Sequence, residues 1–172
     1  ASVIAAPDVD NIYQLPLVLH EQDLDDRILT KLGIWAARAQ LQKWEALIER
    51  WQSSRREVKV AIVGKYVHLA DTYKSLNEAL FHGAVAARAR IELDFVSSEE
   101  LDPEDPGARL GDADGILVPG GFGERGAEGK IAAIRWAREN RRPFFGICLG
   151  MQLAVIEYAR HVLGLRDADS RE

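Results

Sequence analysis

The chain has 172 residues, a formal net charge of −5 and one cysteine. This length allows one ordinary domain, or one domain with part of another. Charges of both signs without a dense basic run argue against a nucleic-acid surface, and one cysteine excludes an internal disulfide. No apolar stretch approaches the twenty residues of a membrane span, so we expect a cytoplasmic protein without a membrane partner. The four histidines stand at no ligand spacing, so the sequence predicts no metal site.

The first part of the chain, residues 1–52, is predicted to be turn-rich and then helical. A short helix is expected over 23–32, since acidic residues begin it and a glycine follows it. From about 37 to 51, apolar residues recur three and four apart and predict an amphipathic helix. Its two tryptophans indicate either docking against a neighbouring domain or ordinary core packing. The polar residues 53–57 then predict a linker between two domains.

The second part, residues 58–172, alternates between strand and helix patterns. Strands are predicted at 58–63, 91–96, 115–118 and 143–145, and helices at about 72–87, before 140 and from 149. The alternating pattern of 91–96 favours a position near the sheet edge. Repeated strand, helix and strand predict a parallel sheet with helices on both faces and a site at the carboxyl ends of the strands.

The only cysteine, Cys148, stands where a predicted strand meets a predicted helix, with Gly146 and Gly150 on either side. This is the pattern of a nucleophile elbow with sulfur in place of oxygen. The glycines are needed because side chains there would collide, and the free N–H groups of the helix start would stabilise negative charge. The alternative is a small buried cysteine in the core. We favour the elbow because a packing cysteine needs neither the glycines nor the junction.

A second glycine cluster, Pro119 to Gly123, ends the preceding predicted strand. If the two strands are neighbours, the N–H groups of Gly121 and Leu149 can hold a tetrahedral oxyanion beside the cysteine. An ordinary glycine-rich turn is the alternative. Gly64-Lys65 lacks the full spacing of a phosphate loop, so that motif is rejected.

A cysteine nucleophile needs a base, ordinarily histidine. His161 lies about three turns along the helix that starts at the elbow, roughly 20 Å from the sulfur. We therefore expect the base in sequence beyond residue 172.

These motifs resemble a known family. Gly-Ile-Cys-Leu-Gly-Met-Gln at 146–152, preceded by Leu-Val-Pro-Gly-Gly-Phe-Gly at 117–123, resembles the class I glutamine amidotransferases. Phe-Gly-Glu-Arg-Gly at 122–126 is similar to the CTP synthase branch of that class. Residues 63–75 resemble the opening of its amidotransferase domain, and 8–16 resemble the tail of its synthetase domain.

The resemblance implies a flavodoxin-like amidotransferase fold preceded by the helical tail of a P-loop-type synthetase domain. The whole enzyme would be a ligase of pyrimidine biosynthesis that aminates UTP to CTP with ATP, Mg²⁺ and ammonia from glutamine. It would be a homotetramer activated by GTP.

The resemblance also implies residue roles. Cys148 would form a glutamyl thioester, with Gly121 and Leu149 as the oxyanion hole. The remaining implied contacts are glutamine binding by Gly121, Leu149, Gly150, Met151, Gln152 and Glu172, ATP binding by Pro7, Asp8 and Val9, and GTP binding by Phe122, Arg125 and Lys74.

Two features of the family are missing from the sequence: the His-Pro-Glu segment that completes the catalytic triad, and the phosphate loop with the magnesium ligands. No motif within these residues binds Mg²⁺ or ATP phosphates, and we expect this segment alone to be inactive. The alternatives left open are another class I amidotransferase, a DJ-1-like cysteine hydrolase, or a non-catalytic amidotransferase-like module.

Overall fold

A computed structural model describes residues 3–67, 72–121 and 123–170. The helices are α1 (Leu15–His20), α2 (Leu24–Leu32), α3 (Gln42–Ser53), α4 (Lys74–Ala86), α5 (Gly107–Leu110), α6 (Ala127–Glu139) and α7 (Leu149–His161). The strands are β1 (Arg56–Gly64), β2 (Ala89–Ser97), β3 (Gly115–Val118) and β4 (Phe144–Gly146). A 3-10 turn at Ile12–Gln14 precedes α1. Within these ranges no helix has both the length and the apolar character that crossing a membrane requires.

The four strands form one parallel sheet in the order β2-β1-β3-β4. β2 lies on one side of β1 and β3 lies on the other, as in doubly wound flavodoxin-like sheets. Because the strands are parallel, the carboxyl ends of β1, β3 and β4 lie at the same edge of the sheet. The predictions of a parallel sheet and of an edge position for the second strand are both confirmed.

Helices cover both faces of the sheet, as predicted. On one face, Phe95 and Ile62 lie side by side in the strand register, and Tyr73, at the start of α4, stacks on Phe95. The other face carries Val63 and Val118 and packs against α6 and α7. Apolar side chains buried on this second face form the core and include Ala61, Ile116, Ile131, Ile134, Leu149, Leu153 and Ile156.

The elements differ from the sequence prediction in three places. α3 begins at Gln42, not near residue 37, and residues 34–40 are exposed and irregular. Their alanines favour a helix, but a short segment that buries no apolar face gains too little to hold one. Residues 53–57 are not all irregular, because α3 runs to Ser53 and β1 begins at Arg56; a linker between two domains there stays a prediction. Between β2 and β3, where the sequence analysis predicts no helix, the structure contains the short helix α5.

The N-terminal part packs on α4 through Tyr13. The Tyr13 ring stacks on Phe81 of α4 and on Trp44 of α3, with centroids 5.6 and 6.0 Å away. Its hydroxyl donates to Glu78 at 2.6 Å and lies 2.7 Å from His82, and the bond to Glu78 raises the pKa of Tyr13. Trp44 thus stacks on Tyr13 within the N-terminal part, and both the division into two domains and docking by the tryptophans stay predictions.

Candidate active site

Cys148 lies between β4 and α7 in a backbone conformation that residues with side chains rarely adopt, with φ 52° and ψ −113°. Such strain persists only where the surrounding structure imposes it, and it concentrates at functional sites. The cysteine is free and exposed, which excludes the alternative of a buried packing residue. The structure therefore has the local geometry of a nucleophile elbow.

Close backbone approach explains the two glycines of the elbow. A Cβ at Gly150 would lie 2.1 Å from the carbonyl oxygen of Val118 on β3, and one at Gly146 would lie 2.6 Å from the carbonyl oxygen of Gly150. The N–H of Ile147 donates to the same Val118 oxygen at 3.0 Å. The start of α7 thus packs directly against β3. The prediction that side chains at positions 146 and 150 would collide with neighbouring backbone is confirmed.

The second glycine cluster does lie beside the sulfur. β3 and β4 are neighbours, with Val118 paired to Gly146. A Cβ placed on Gly120 would stand 3.3 Å from the Cβ of Cys148 and 3.9 Å from its Sγ. We call residues 119–121 and 123–126 the glycine loop. The proximity on which the oxyanion hypothesis depends is present.

The backbone hydrogen bonds of the elbow show which amides are already paired. The N–H of Gly150 donates to the Ile147 carbonyl at 2.9 Å, and that of Met151 donates to the Cys148 carbonyl at 3.1 Å. Among the residues that the structure describes, the N–H of Leu149 has no acceptor. The first amides of a helix lack intrahelical partners, so this N–H can receive charge that develops beside the sulfur.

Gly121, the other predicted donor, has φ +137°, which favours glycine. The two residues that follow β1 lie beside Gly121: a Cβ built on Gly121 would be 3.6 Å from Cε of Lys65 and 3.7 Å from Cε2 of Tyr66. The Lys65 ammonium is 5.3 Å from the centroid of the Tyr66 ring, and the Arg125 guanidinium is 5.8 Å from it. Arg125 also pairs with Glu99 at 3.2 Å. The carboxyl end of β1 and the glycine loop are therefore in direct contact.

The predicted glutamine-binding residues open α7. Leu149 and Gly150 are buried, whereas the Met151 side chain is exposed. The side-chain oxygen Oε1 of Gln152 is buried and accepts no hydrogen bond from the described part of the chain. A buried acceptor without a donor is costly, so this oxygen suits a ligand that brings a donor. Glu172 lies outside the described residues.

The residues predicted to bind nucleotides are separate from the elbow in the chain, and their roles stay predictions. Arg125 is exposed and belongs to the glycine loop, and Lys74 is exposed at the start of α4. Phe122 lies outside the described residues. Pro7 and Asp8 are exposed and Val9 is half-buried in an extended segment before the 3-10 turn.

Sequence reasoning missed two side chains near the site. Lys130 on α6 is 1% exposed, and its pKa is lowered by burial and by the positive charge of Lys65. Helical periodicity gave no signal for it. Tyr66 borders a cleft of about 500 Å³ together with Tyr73, Gly120 and Ile147. Tyr66 belongs to residues 63–75, which resemble the opening of the amidotransferase domain, but that resemblance gave it no role at the site.

No base for Cys148 is found near it in the described ranges. His161 ends α7, and its Nδ1 lies 3.1 Å from the carbonyl oxygen of Glu157. Since α7 is one continuous helix, His161 is held at the opposite end from the sulfur. Across the same described ranges, no group of three His, Cys, Asp or Glu side chains is placed to hold a metal ion.

A doubly wound parallel sheet with a cysteine elbow beside a glycine loop defines the class I amidotransferase type of site. The family described as "Glutamine amidotransferase class-I" matches residues 68–171, and the chain belongs to this family.

The similarity to CTP synthases extends beyond residues 68–171 to nearly the whole chain. The chain is 54% identical over 171 residues to the CTP synthase of Desulfotalea psychrophila, covering 99% of this chain and 31% of that protein. It is 52% identical over 172 residues to the CTP synthase of Syntrophus aciditrophicus, covering 100% and 32%. The chain thus spans about a third of the length of these relatives.

A solved structure is also similar: the glutaminase domain of Trypanosoma brucei CTPS with bound acivicin. It is 46% identical, with a TM-score of 0.62, and the match covers 67% of this chain and 45% of that one.

Proposed function

We propose that the protein containing this chain is a CTP synthase and that the chain supplies the nucleophile of its glutamine-hydrolysing half. One observation carries the proposal: an exposed Cys148 on a strained elbow lies beside a glycine loop in a chain that aligns with CTP synthases from end to end. The family match begins at residue 68, whereas the alignment with CTP synthases also includes the preceding part. This extension favours CTP synthase over other class I amidotransferases.

The chemistry follows from the elbow. The Cys148 thiolate attacks the side-chain carbonyl carbon of glutamine, and the N–H groups of Gly121 and Leu149 hold the resulting oxyanion. The C–N bond then breaks and ammonia leaves with a proton from a general acid outside this chain. Water attacks the thioester, breaks the C–S bond and releases glutamate.

The substrate would lie over the first turn of α7. Leu149, Gly150 and Met151 would contribute backbone, and the buried Oε1 of Gln152 would accept a hydrogen bond from the substrate. Glu172 would bind the α-amino group, a role that suits its charge.

The other half-reaction belongs to parts of the protein outside this chain. There, ATP and Mg²⁺ would activate the UTP oxygen that ammonia displaces, and no residue of this chain is proposed as a metal ligand. The protein would be a cytoplasmic homotetramer of pyrimidine biosynthesis activated by GTP. Within this chain the proposed nucleotide contacts are Pro7, Asp8 and Val9 for ATP and Phe122, Arg125 and Lys74 for GTP. The segment alone would be inactive.

The test uses Cys148→Ala and Cys148→Ser in the full-length protein. Each variant should abolish glutamine-dependent CTP formation and leave ammonia-dependent formation nearly intact, because only the ammonia source is removed. Both rates are measured from the absorbance change as UTP becomes CTP. Equal loss of both activities, or retention of both, would refute the assignment of Cys148 as the glutaminase nucleophile.

A further inference from the structure

We propose that Tyr66 is a positioning residue for glutamine hydrolysis: its ring holds the glycine loop so that the N–H of Gly121 faces the reacting carbonyl. The inference rests on the proposed function of Cys148 and adds a residue outside both glycine motifs. It concerns the placement of the oxyanion hole and not contact with substrate.

The ring lies close to the loop at two points. Its Cε2 atom lies 3.7 Å from the position that a Cβ of Gly121 would occupy, and the Arg125 guanidinium lies 5.8 Å from the ring centroid. The Lys65 ammonium lies 5.3 Å from the same centroid and 3.5 Å from the Cβ position of Gly123. The same aromatic ring thus lies within cation–π distance of two cations, one of which precedes it in the chain and the other of which belongs to the loop.

The loop needs such a support. Gly121, Gly123 and Gly126 all have positive φ, and glycine brings no side chain that could fix its own position. The ring of Tyr66 is anchored by its place two residues after Gly64, the last residue of the central strand β1. Cations are attracted to the face of an aromatic ring, so Arg125 draws the loop toward this fixed point, and Lys65 lies beside both the ring and Gly123.

A positioned donor is what an oxyanion hole requires. Displacing a reacting group by 1 Å can cost on the order of 100-fold in rate. Loss of the ring should therefore reduce kcat for glutamine hydrolysis, while binding through the first turn of α7 changes little.

The experiment compares Tyr66→Leu, which removes the aromatic face, with Tyr66→Phe, which keeps it, in the full-length protein. Tyr66→Leu should lower kcat for glutamine hydrolysis by about 10- to 100-fold with little change in KM. Tyr66→Phe should retain most of the wild-type kcat. Tyr158→Leu, at a 49% exposed tyrosine about 15 Å along α7 from the elbow, is the matched control and should behave as wild type.

A second measurement separates positioning from general damage. Iodoacetamide alkylates Cys148 by direct displacement: a C–S bond forms, iodide leaves and no oxyanion develops. The alkylation rate of Tyr66→Leu should therefore match that of wild type, and ammonia-dependent CTP formation should persist.

The inference is overturned if Tyr66→Leu hydrolyses glutamine at the wild-type rate, if Tyr66→Phe is equally impaired, or if alkylation slows in parallel with hydrolysis. The proposed function fails separately, if Cys148→Ala still hydrolyses glutamine.

Discussion

The substitution Gly150→Ala tests how tightly the elbow depends on close backbone packing. The added Cβ would lie 2.1 Å from the carbonyl oxygen of Val118 and 2.9 Å from its carbonyl carbon. Ordinary contact begins at 3.4 Å, so the start of α7 and β3 must separate by about 1.3 Å. Neither side of the contact is a flexible side-chain end, so the backbone itself must move.

This separation should affect the site more than the fold. Overpacking of this kind typically costs about 1–3 kcal/mol of stability. Movement of α7 away from β3 would also stretch the 3.0 Å hydrogen bond from Ile147 to Val118 and carry Cys148 away from the glycine loop. Since a 1 Å displacement can cost on the order of 100-fold in rate, glutamine hydrolysis should fall by about that factor.

The assay is glutamine hydrolysis by the full-length protein, normalised to ammonia-dependent CTP formation and accompanied by thermal unfolding. Gly83→Ala is the matched control: Gly83 lies within α4, and nothing lies within 4 Å of its added Cβ. That substitution should be neutral or stabilise α4 by up to about 1 kcal/mol. Wild-type hydrolysis and stability in Gly150→Ala would refute the reasoning.

Two further predictions concern charges. Arg138→Met should destabilise the contact between α6 and α7 by about 1–3 kcal/mol, since Glu157 is 1% exposed and would lose the guanidinium that now donates to it at 2.8 and 3.0 Å, leaving His161 Nδ1 at 3.4 Å as its remaining neighbour. Hydrogen exchange of the α6 and α7 amides measures this loss of stability. The double variant Arg138→Met with Glu157→Leu should recover most of the lost stability. Unchanged exchange in the single variant would contradict the prediction. The second concerns Asp94, whose pKa is held below its usual value by the hydrogen bonds from Arg109. Because the folded pKa is the lower one, the stabilisation is complete above the unfolded pKa of about 3.9 and is lost as pH falls through the folded pKa. Asp94→Asn should therefore lower the thermal midpoint at neutral pH and match wild type in strong acid, and an equal difference at both pH values would count against this role.

The second part of the chain was predictable from the sequence because its signals are local and strong. The runs around Ile62 and Leu117 are apolar and short, and turn residues bound them, so strand boundaries fell within a few residues of those observed. The first part was less predictable. Residues 34–40 have helix-forming composition, but composition does not report whether an apolar face finds a partner.

The elbow was also predictable, whereas its support was not. The glycines two residues before and two residues after Cys148 indicate a close backbone approach that only glycine allows, and this signal can be read from five consecutive residues. The contact of Tyr66 with Gly121 and Arg125 joins segments more than fifty residues apart, and no spacing in the chain encodes it. Lys130 was missed for a similar reason, because a lysine on a helix gives no sign that folding will bury it.

The strained backbone of Cys148 and the packing of its neighbours depend on each other. A residue with φ 52° would relax if the helix that follows it could shift, but α7 is fixed on β3 by the contact at Gly150 and by the hydrogen bond to Val118. The same packing of α7 against β3 places the exposed sulfur beside Gly120. It also leaves the Leu149 N–H without an acceptor among the described residues. Backbone strain at the sulfur is therefore maintained by backbone packing beneath it, while the position of the opposing donor depends on side chains beside the glycine loop, among them Tyr66 near Gly121 and Glu99 paired with Arg125. This asymmetry leads us to expect that substitutions in the loop's supports reduce catalysis before stability, whereas substitutions at Gly150 reduce both.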